Sequence, residues 1–176
     1  VASNGSPDAG GNVHGFEMTF SELFWQTFKD MGYELPMISQ THFTFIFELT
    51  SPYNRIVVPY RKAGLTLIGI RNNITQKEEP IRALCYPNYQ KVKTFALDSM
   101  ESIIITFADF SGIDSDGYVV VVWQFNRVKI KHPNYVSLHH LKGNEGPTPK
   151  KIMGIVLTGE GAEVLSYFPE WKVLFD

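Results

Sequence analysis

The sequence has a single cysteine, no long apolar run and almost no excess of charge of either sign. Cys85 alone excludes an intramolecular disulfide and a cysteine-built zinc site, and it fits a reducing compartment, so the cytosol or nucleus is the expected location. The longest apolar runs, such as Ile103–Phe107 and Tyr118–Trp123, are too short to cross a bilayer as a helix, and no membrane partner is expected. With 18 acidic and 16 basic residues the net charge is −2, which excludes attraction to nucleic acid or anionic lipid by bulk electrostatics. Any nucleic-acid contact must therefore be local. The 14 glycines form neither G-x-G-x-x-G nor a Walker pattern, so a glycine-rich phosphate cradle is absent, and Gly10-Gly11 and Gly143–Gly146 read as turns. No internal repeat occurs, and no linker is long enough to separate two independent domains.

What is present is the composition of one ordinary globular domain: 176 residues, 44% hydrophobic, 14% aromatic and 19% charged. A chain of this length buries about 70% of its unfolded surface and needs no staple. It begins at Val1 in a Gly-, Ser-, Asn- and Pro-rich stretch to Gly15 that lacks a signal-peptide core, and a fragment of a longer protein is expected. Thr19 and Glu22 have capping-box spacing before Leu23, Phe24, Phe28 and Met31, predicting an amphipathic helix from Ser21 to Met31 that Gly32 ends. The Phe20/Phe24/Phe28 row and Trp25 read as core. From His42 the period changes to two, with Phe43, Phe45 and Phe47 on one face and Thr44, Ile46 and Glu48 on the other. Further strands are expected over Arg55–Tyr60 and Leu65–Arg71, then a loop-rich Asn72–Pro87. Asp98 with Glu101 predicts a helix over Ser99–Phe110. Gly117–Trp123 and Arg127–His132 read as a hairpin turning at Gln124-Phe125-Asn126. Pro133 and Gly143 bound a short helix over Asn134–Lys142, and further helices start at Thr148-Pro149 and cover Gly161–Tyr167. Strands and helices are segregated rather than alternating, which predicts an α+β fold with an antiparallel sheet.

Three polar placements stand apart from ordinary surface. Glu48 lies mid-strand opposite the phenylalanine row; by itself it is a solvent-facing carboxylate. Asp116-Gly117 opens a strand; by itself it is a turn signature. Lys129 and Lys131 share one strand face while Val128 and Ile130 take the other; by themselves they form a solvated basic face. Taken together, they offer acidic groups for a metal and a ribose, and paired ammonium groups for phosphates.

Four segments carry a resemblance. They are Phe45-Ile46-Phe47-Glu48-Leu49-Thr50-Ser51-Pro52 followed by Asn54-Arg55-Ile56-Val57; Asp116-Gly117-Tyr118-Val119-Val120; Lys129-Ile130-Lys131; and Tyr135-Val136-Ser137-Leu138-His139. In order and spacing, from about His42 to Leu141, they resemble the covalent nucleotidyltransferases, and within these the RNA ligase 1 family of the T-even phages. The resemblance implies an antiparallel-sheet nucleotidyltransferase (adenylation) domain of the RNA/DNA ligase and capping-enzyme type. Residues 1–147 would form its C-terminal part, and 148–176 a helical segment that begins a further domain. It implies ATP as cofactor, Mg²⁺ or Mn²⁺ as metal, RNA ends (broken or tRNA-like) as partner, and a monomer. In this family a lysine of a K-x-D-G motif attacks the α-phosphorus of ATP, AMP passes to an RNA 5′-phosphate, and a 3′-hydroxyl displaces it. Glu48 would then hydrogen-bond the ribose with Phe47 supporting it, Asp116 would bind the metal, Val119 would pack on adenine, and Lys129 and Lys131 would hold the α-phosphate. Tyr135 matches a tyrosine beside that motif.

Two departures qualify the match. Asp116 is one methylene shorter than the family's glutamate, so direct metal coordination there is expected to be lost or to become water-mediated. No K-x-D-G occurs in these residues; the nearest strings are Lys29-Asp30-Met31-Gly32 and Ser115-Asp116-Gly117. The family's spacing would place the lysine just before Val1, and Ser3-Asn4-Gly5-Ser6 resembles the S-K-G-S that follows it, with Asn4 for lysine. The chain alone is accordingly expected not to adenylylate itself. Two other readings stay open: a noncatalytic nucleotide- or RNA-binding module of the same fold, and a GTP-using capping guanylyltransferase or DNA ligase. His132, His139 and His140 read as helix-end and surface positions rather than metal ligands, and Cys85 as a packed side chain.

Overall fold

The structure, a computed structural model, describes residues 1–3, 5–13, 15–55, 57–81, 88–122, 126–143 and 146–175. Cys85, Asn4 and the hairpin-turn residues Gln124 and Phe125 lie outside these. The chain forms two compact units where the sequence suggested one: Val1–Arg55 with Tyr60–Ala96, and Ile56–Pro59 with Leu97–Asp176. Both are built from helices and small antiparallel sheets, an α+β architecture.

In the first unit, helix α1 (Phe20–Asp30) starts with the expected capping box. The Glu22 amide donates to Thr19 Oγ1 (3.1 Å), and the Thr19 amide donates to Glu22 Oε2 (2.8 Å). The next two amides, of Phe20 and Ser21, donate to the carbonyls of Gly11 (2.9 Å) and Ala9 (3.0 Å). These bonds satisfy helix-end donors that would otherwise need water. The polar N-terminal stretch is thus tied down, with Ala9 and Val13 fully buried. The helix buries Leu23, Thr27 and Phe28. Trp25 stays 44% exposed, contrary to its core assignment, because at 3.6 residues per turn it falls off the stripe those residues define.

Strand β1 (Phe43–Thr50) pairs antiparallel with β2 (Gly64–Asn72), which pairs on its other edge with the short β3 (Glu78–Glu79). The register slips once: Ile46 faces Gly69, and Phe47 faces Leu67, leaving Ile68 as a bulge. That extra residue matters because side chains alternate. It lets the pairs Phe45–Ile70, Phe47–Leu67 and Leu49–Leu65 all face the core, where a continuous register would turn one set outward. The core joins Phe28, Tyr33, Leu65, Leu67, Ile70 and Tyr89, with Phe43, Phe45 and Phe47 packed against it. Fully burying a large apolar side chain contributes about 1.5–3 kcal/mol. The expected strand Arg55–Tyr60 does not form. Pro52–Asn54 makes a 3-10 turn instead, and among residues 57–60 Val57 is buried in the core of the second unit. Prolines at 52 and 59 also withhold ladder donors there.

In the second unit, helix α2 (Met100–Thr106) is capped by Ser99 with Ser102, not by Asp98 with Glu101, and it stops four residues early. Phe107 and Phe110 leave the helix to pack on Tyr118 and His132. Strands β4 (Gly117–Val121) and β5 (Arg127–Lys131) form the expected hairpin, closed by the Val122 amide on the Asn126 carbonyl at 2.9 Å. Helices α3 (Pro133–Lys142), α4 (Pro149–Thr158) and α5 (Gly161–Tyr167) follow. Tyr135, Leu138, Ile155, Val164, Phe168 and Trp171 share one core, so α4 and α5 are packed with α3. Among the described residues no helix is long and apolar enough to cross a membrane.

Candidate functional site

The β4–β5 ladder sorts the sequence-predicted residues by face. Cross-strand partners point the same way, so the pairs Gly117–Lys131, Val119–Lys129 and Val121–Arg127 put their side chains on one face. Tyr118, Val120, Val128 and Ile130 take the other, with the Tyr118 ring against Phe107 and Phe110. The first face is open: Val119 is 52% exposed, and Lys129 and Lys131 are exposed. Arg127 belongs to this face as well. Extending the two-residue period of the lysines backward by one step would have found it.

Asp116 is fixed where the chain enters β4. Its carbonyl accepts from the His132 amide at 3.0 Å, and the Gly117 amide donates to Ser115 Oγ at 3.3 Å. Gly117 follows with φ +132°, and a Cβ there would stand 2.1 Å from the Ile130 carbonyl oxygen, so no other residue fits. One Asp116 carboxylate oxygen lies 2.5 Å from Lys129 Nζ. The two side chains are 37% and 48% exposed, and a solvated ion pair of this kind contributes no more than about 1 kcal/mol. A phosphate can therefore compete for Lys129.

Lys131 Nζ stands over the Tyr135 ring, 5.7 Å from its centroid, and that ring is buried. Helix α3 holds Tyr135 against the 111–114 turn, where a Cβ on Gly112 would meet the Tyr135 amide nitrogen at 2.3 Å. His132 is not a surface residue; it is buried and caps α3. Its Nδ1 accepts from the Asn134 amide (3.0 Å) and its Nε2 lies 3.1 Å from the Phe107 carbonyl oxygen, an arrangement that assigns the proton to Nε2. Sequence gave one hint of this role, its place directly before Pro133.

His139, half-buried in the last turn of α3, has its ring 5.8 Å from Tyr135. Burial, then the charges of Lys131 and His140, lower its pKa from the ordinary 6.5. The unfolded chain consequently takes up this proton first as the pH falls. Stability from neutral His139 is complete above about pH 6.5 and is lost below it. His139→Gln is expected to flatten the decline in the denaturation midpoint between about pH 8 and pH 5.5. An unchanged decline would remove His139 as its source.

In the first unit, Glu48 lies opposite Thr66 on the exposed side of β1, with Thr44 and Ile46. Phe47 points the other way, into the core against Phe24, Tyr33 and Tyr89, so its part is to hold the strand that carries Glu48. The structure thus gathers Asp116, Val119, Lys129, Lys131 and Tyr135 in one unit, and Phe47 and Glu48 in the other. Among the described residues no three His, Cys, Asp or Glu side chains converge as a metal cage. A single carboxylate beside two exposed lysines still offers the hard oxygen donor that Mg²⁺ uses, since this ion completes its shell with water and other oxygens.

No protein-family model matches the chain. It is similar to an RNA ligase of Rhodothermus phage RM378, 28% identical over 194 aligned residues that take in 87% of this chain and 44% of the relative. It is also similar to a protein of Autographa californica nuclear polyhedrosis virus described as "Putative bifunctional polynucleotide kinase/RNA ligase", 30% identical over 133 residues, 73% of this chain and 18% of the relative. The chain spans less than half the length of either relative. Similarity to these two proteins over most of its residues supports a relationship to the RNA ligases in general.

Proposed function

We propose that the chain is part of the nucleotidyltransferase domain of an ATP-dependent RNA ligase that joins 5′-phosphate to 3′-hydroxyl ends in RNA repair or tRNA-type sealing. The observation that carries this reading is the open β4–β5 face, which presents Asp116, Val119, Lys129 and Lys131 together in a chain similar to two RNA ligases.

In the reaction implied, a lysine nitrogen bonds to the α-phosphorus as pyrophosphate leaves. An oxygen of the RNA 5′-phosphate then displaces that nitrogen from the same phosphorus, and the 3′-hydroxyl attacks the 5′-phosphorus and releases AMP. The attacking lysine belongs to a K-x-D-G that these 176 residues do not contain. What they supply is binding and electrostatics. Lys129 and Lys131 hold the α-phosphate oxygens and stabilise the charge that develops on them. Val119 offers an aliphatic surface to adenine, Glu48 accepts from the ribose hydroxyls, and Tyr135 sets the height of Lys131. Asp116 would hold Mg²⁺ or Mn²⁺, which when bound offsets phosphate charge.

ATP titration tests the reading. Glu48→Ala is expected to raise the Kd for ATP by about 10- to 100-fold, the range for losing a hydrogen bond to a charged group. Bound ATP should be displaced by ATP and not by GTP. An unchanged Kd would remove Glu48 from the site, and preferential displacement by GTP would favour a capping-type guanylyltransferase.

A further inference from the structure

A further concave surface lies in the first unit, lined by residues given no part in the ATP reading. A groove of about 440 Å³ runs between α1 and the segments at 52–53 and 61–63. Its floor is apolar, made by Leu23, Met31 and Ala63, and its rim carries Tyr53, Arg61 and Lys62. Tyr53 is 43% exposed yet held in place. The edge-on ring of Phe16 stands 5.0 Å away, and the Tyr53 amide donates to Ser51 Oγ at 3.1 Å, on a serine that is fully buried. Arg61 and Lys62 are exposed, and neither has an ion pair among the described residues. Across the groove, Gln26 and Asp30 stand one helical turn apart on α1.

A pre-set aromatic ring, two uncommitted cations, apolar side chains and a carboxylate lining one groove match the parts of a nucleotide: base, phosphate and sugar hydroxyls. We propose that this groove binds one nucleotide of a single RNA strand. The base packs on Tyr53 over the apolar floor, Arg61 and Lys62 contact the flanking phosphates, and Asp30 accepts from ribose hydroxyls. Asp30 also disfavours a bare phosphate ion, and it gives RNA an advantage over DNA through the 2′-hydroxyl. The choice of RNA as ligand rests on the ligase reading above.

The test is equilibrium binding of a fluorescently labelled single-stranded oligoribonucleotide of about ten nucleotides to the 176-residue chain at several salt concentrations, with ATP binding measured in parallel. The double variant R61A/K62A is expected to weaken RNA binding about tenfold or more and to lower the salt slope by about 1 to 2. Tyr53→Ala should weaken RNA binding at least about fivefold without changing that slope. Both variants should bind ATP as the unmodified chain does, because neither touches the residues assigned to ATP. RNA affinity and salt slope unchanged in both variants would overturn the groove while leaving the ATP site standing. A chain that binds neither RNA nor ATP would overturn the ligase reading along with it.

Discussion

Alanine at Lys129 or Lys131 is expected to lower the rate of adenylate formation by about 100- to 1,000-fold in protein that carries the K-x-D-G lysine, with the fold intact. That is the usual cost of removing one preorganised donor from developing negative charge. The two lysines sit two residues apart on an exposed strand face, so their charges lie on one side of the hairpin. They differ in what holds them: Lys129 is paired with Asp116, and Lys131 stands over Tyr135. Neither contact is buried enough to make the lysine a structural requirement, and exposed substitutions commonly alter stability by less than about 0.5 kcal/mol. Label transfer from ATP marked at the α-phosphate, together with a denaturation curve, separates the two effects. Full labelling in both variants would contradict the assignment.

Gly117→Ala acts in the opposite way, through structure. The new methyl would lie 2.1 Å from the Ile130 carbonyl oxygen, 2.9 Å from Lys131 Cα and 3.0 Å from the His132 amide nitrogen, on a backbone at φ +132°. All three are backbone atoms at the end of β5 and the start of α3, so no side chain can swing aside. The hairpin has to open at its base, which would displace both lysines and the buried His132 cap. The expected loss is about 3 kcal/mol or more, read from chemical denaturation. Gly154→Ala is the matching control. It lies inside α4 with open space at its Cβ, and is expected to be neutral or to stabilise by about 0.5–1 kcal/mol. A Gly117→Ala protein as stable as the Gly154→Ala protein would contradict the account of the turn.

Much of the scaffold was legible because it rests on local rules. The Thr19–Glu22 spacing, the alternation from Phe43 to Glu48 and the Arg127–Lys131 period each depend on a few adjacent residues, and each appears in the structure. What failed depends on distant partners. Val57 reads as strand because it is β-branched among β-branched neighbours, but its burial among Tyr135, Leu138 and Phe168 decides its conformation. The Ile68 bulge leaves no local trace; it is needed only because both halves of β1 must face one core. Ala9 and Val13 sit in a stretch whose composition reads as loop, and their burial comes from α1. In the candidate site, the lysine face and Asp116 were visible as pattern. Arg127 was overlooked, and the capping role of His132 required knowing that Phe107 would turn back towards it.

The central claim is that the β4–β5 face grips the α-phosphate of ATP for transfer to RNA. Its most direct test is to incubate protein in which this chain is joined to a K-x-D-G lysine with ATP labelled at the α-phosphate and a divalent cation, and then to add RNA bearing a 5′-phosphate. The account predicts label on the protein, its transfer to RNA, and loss of both in Lys131→Ala. No label on the unmodified protein, or equal labelling in the variant, would contradict it.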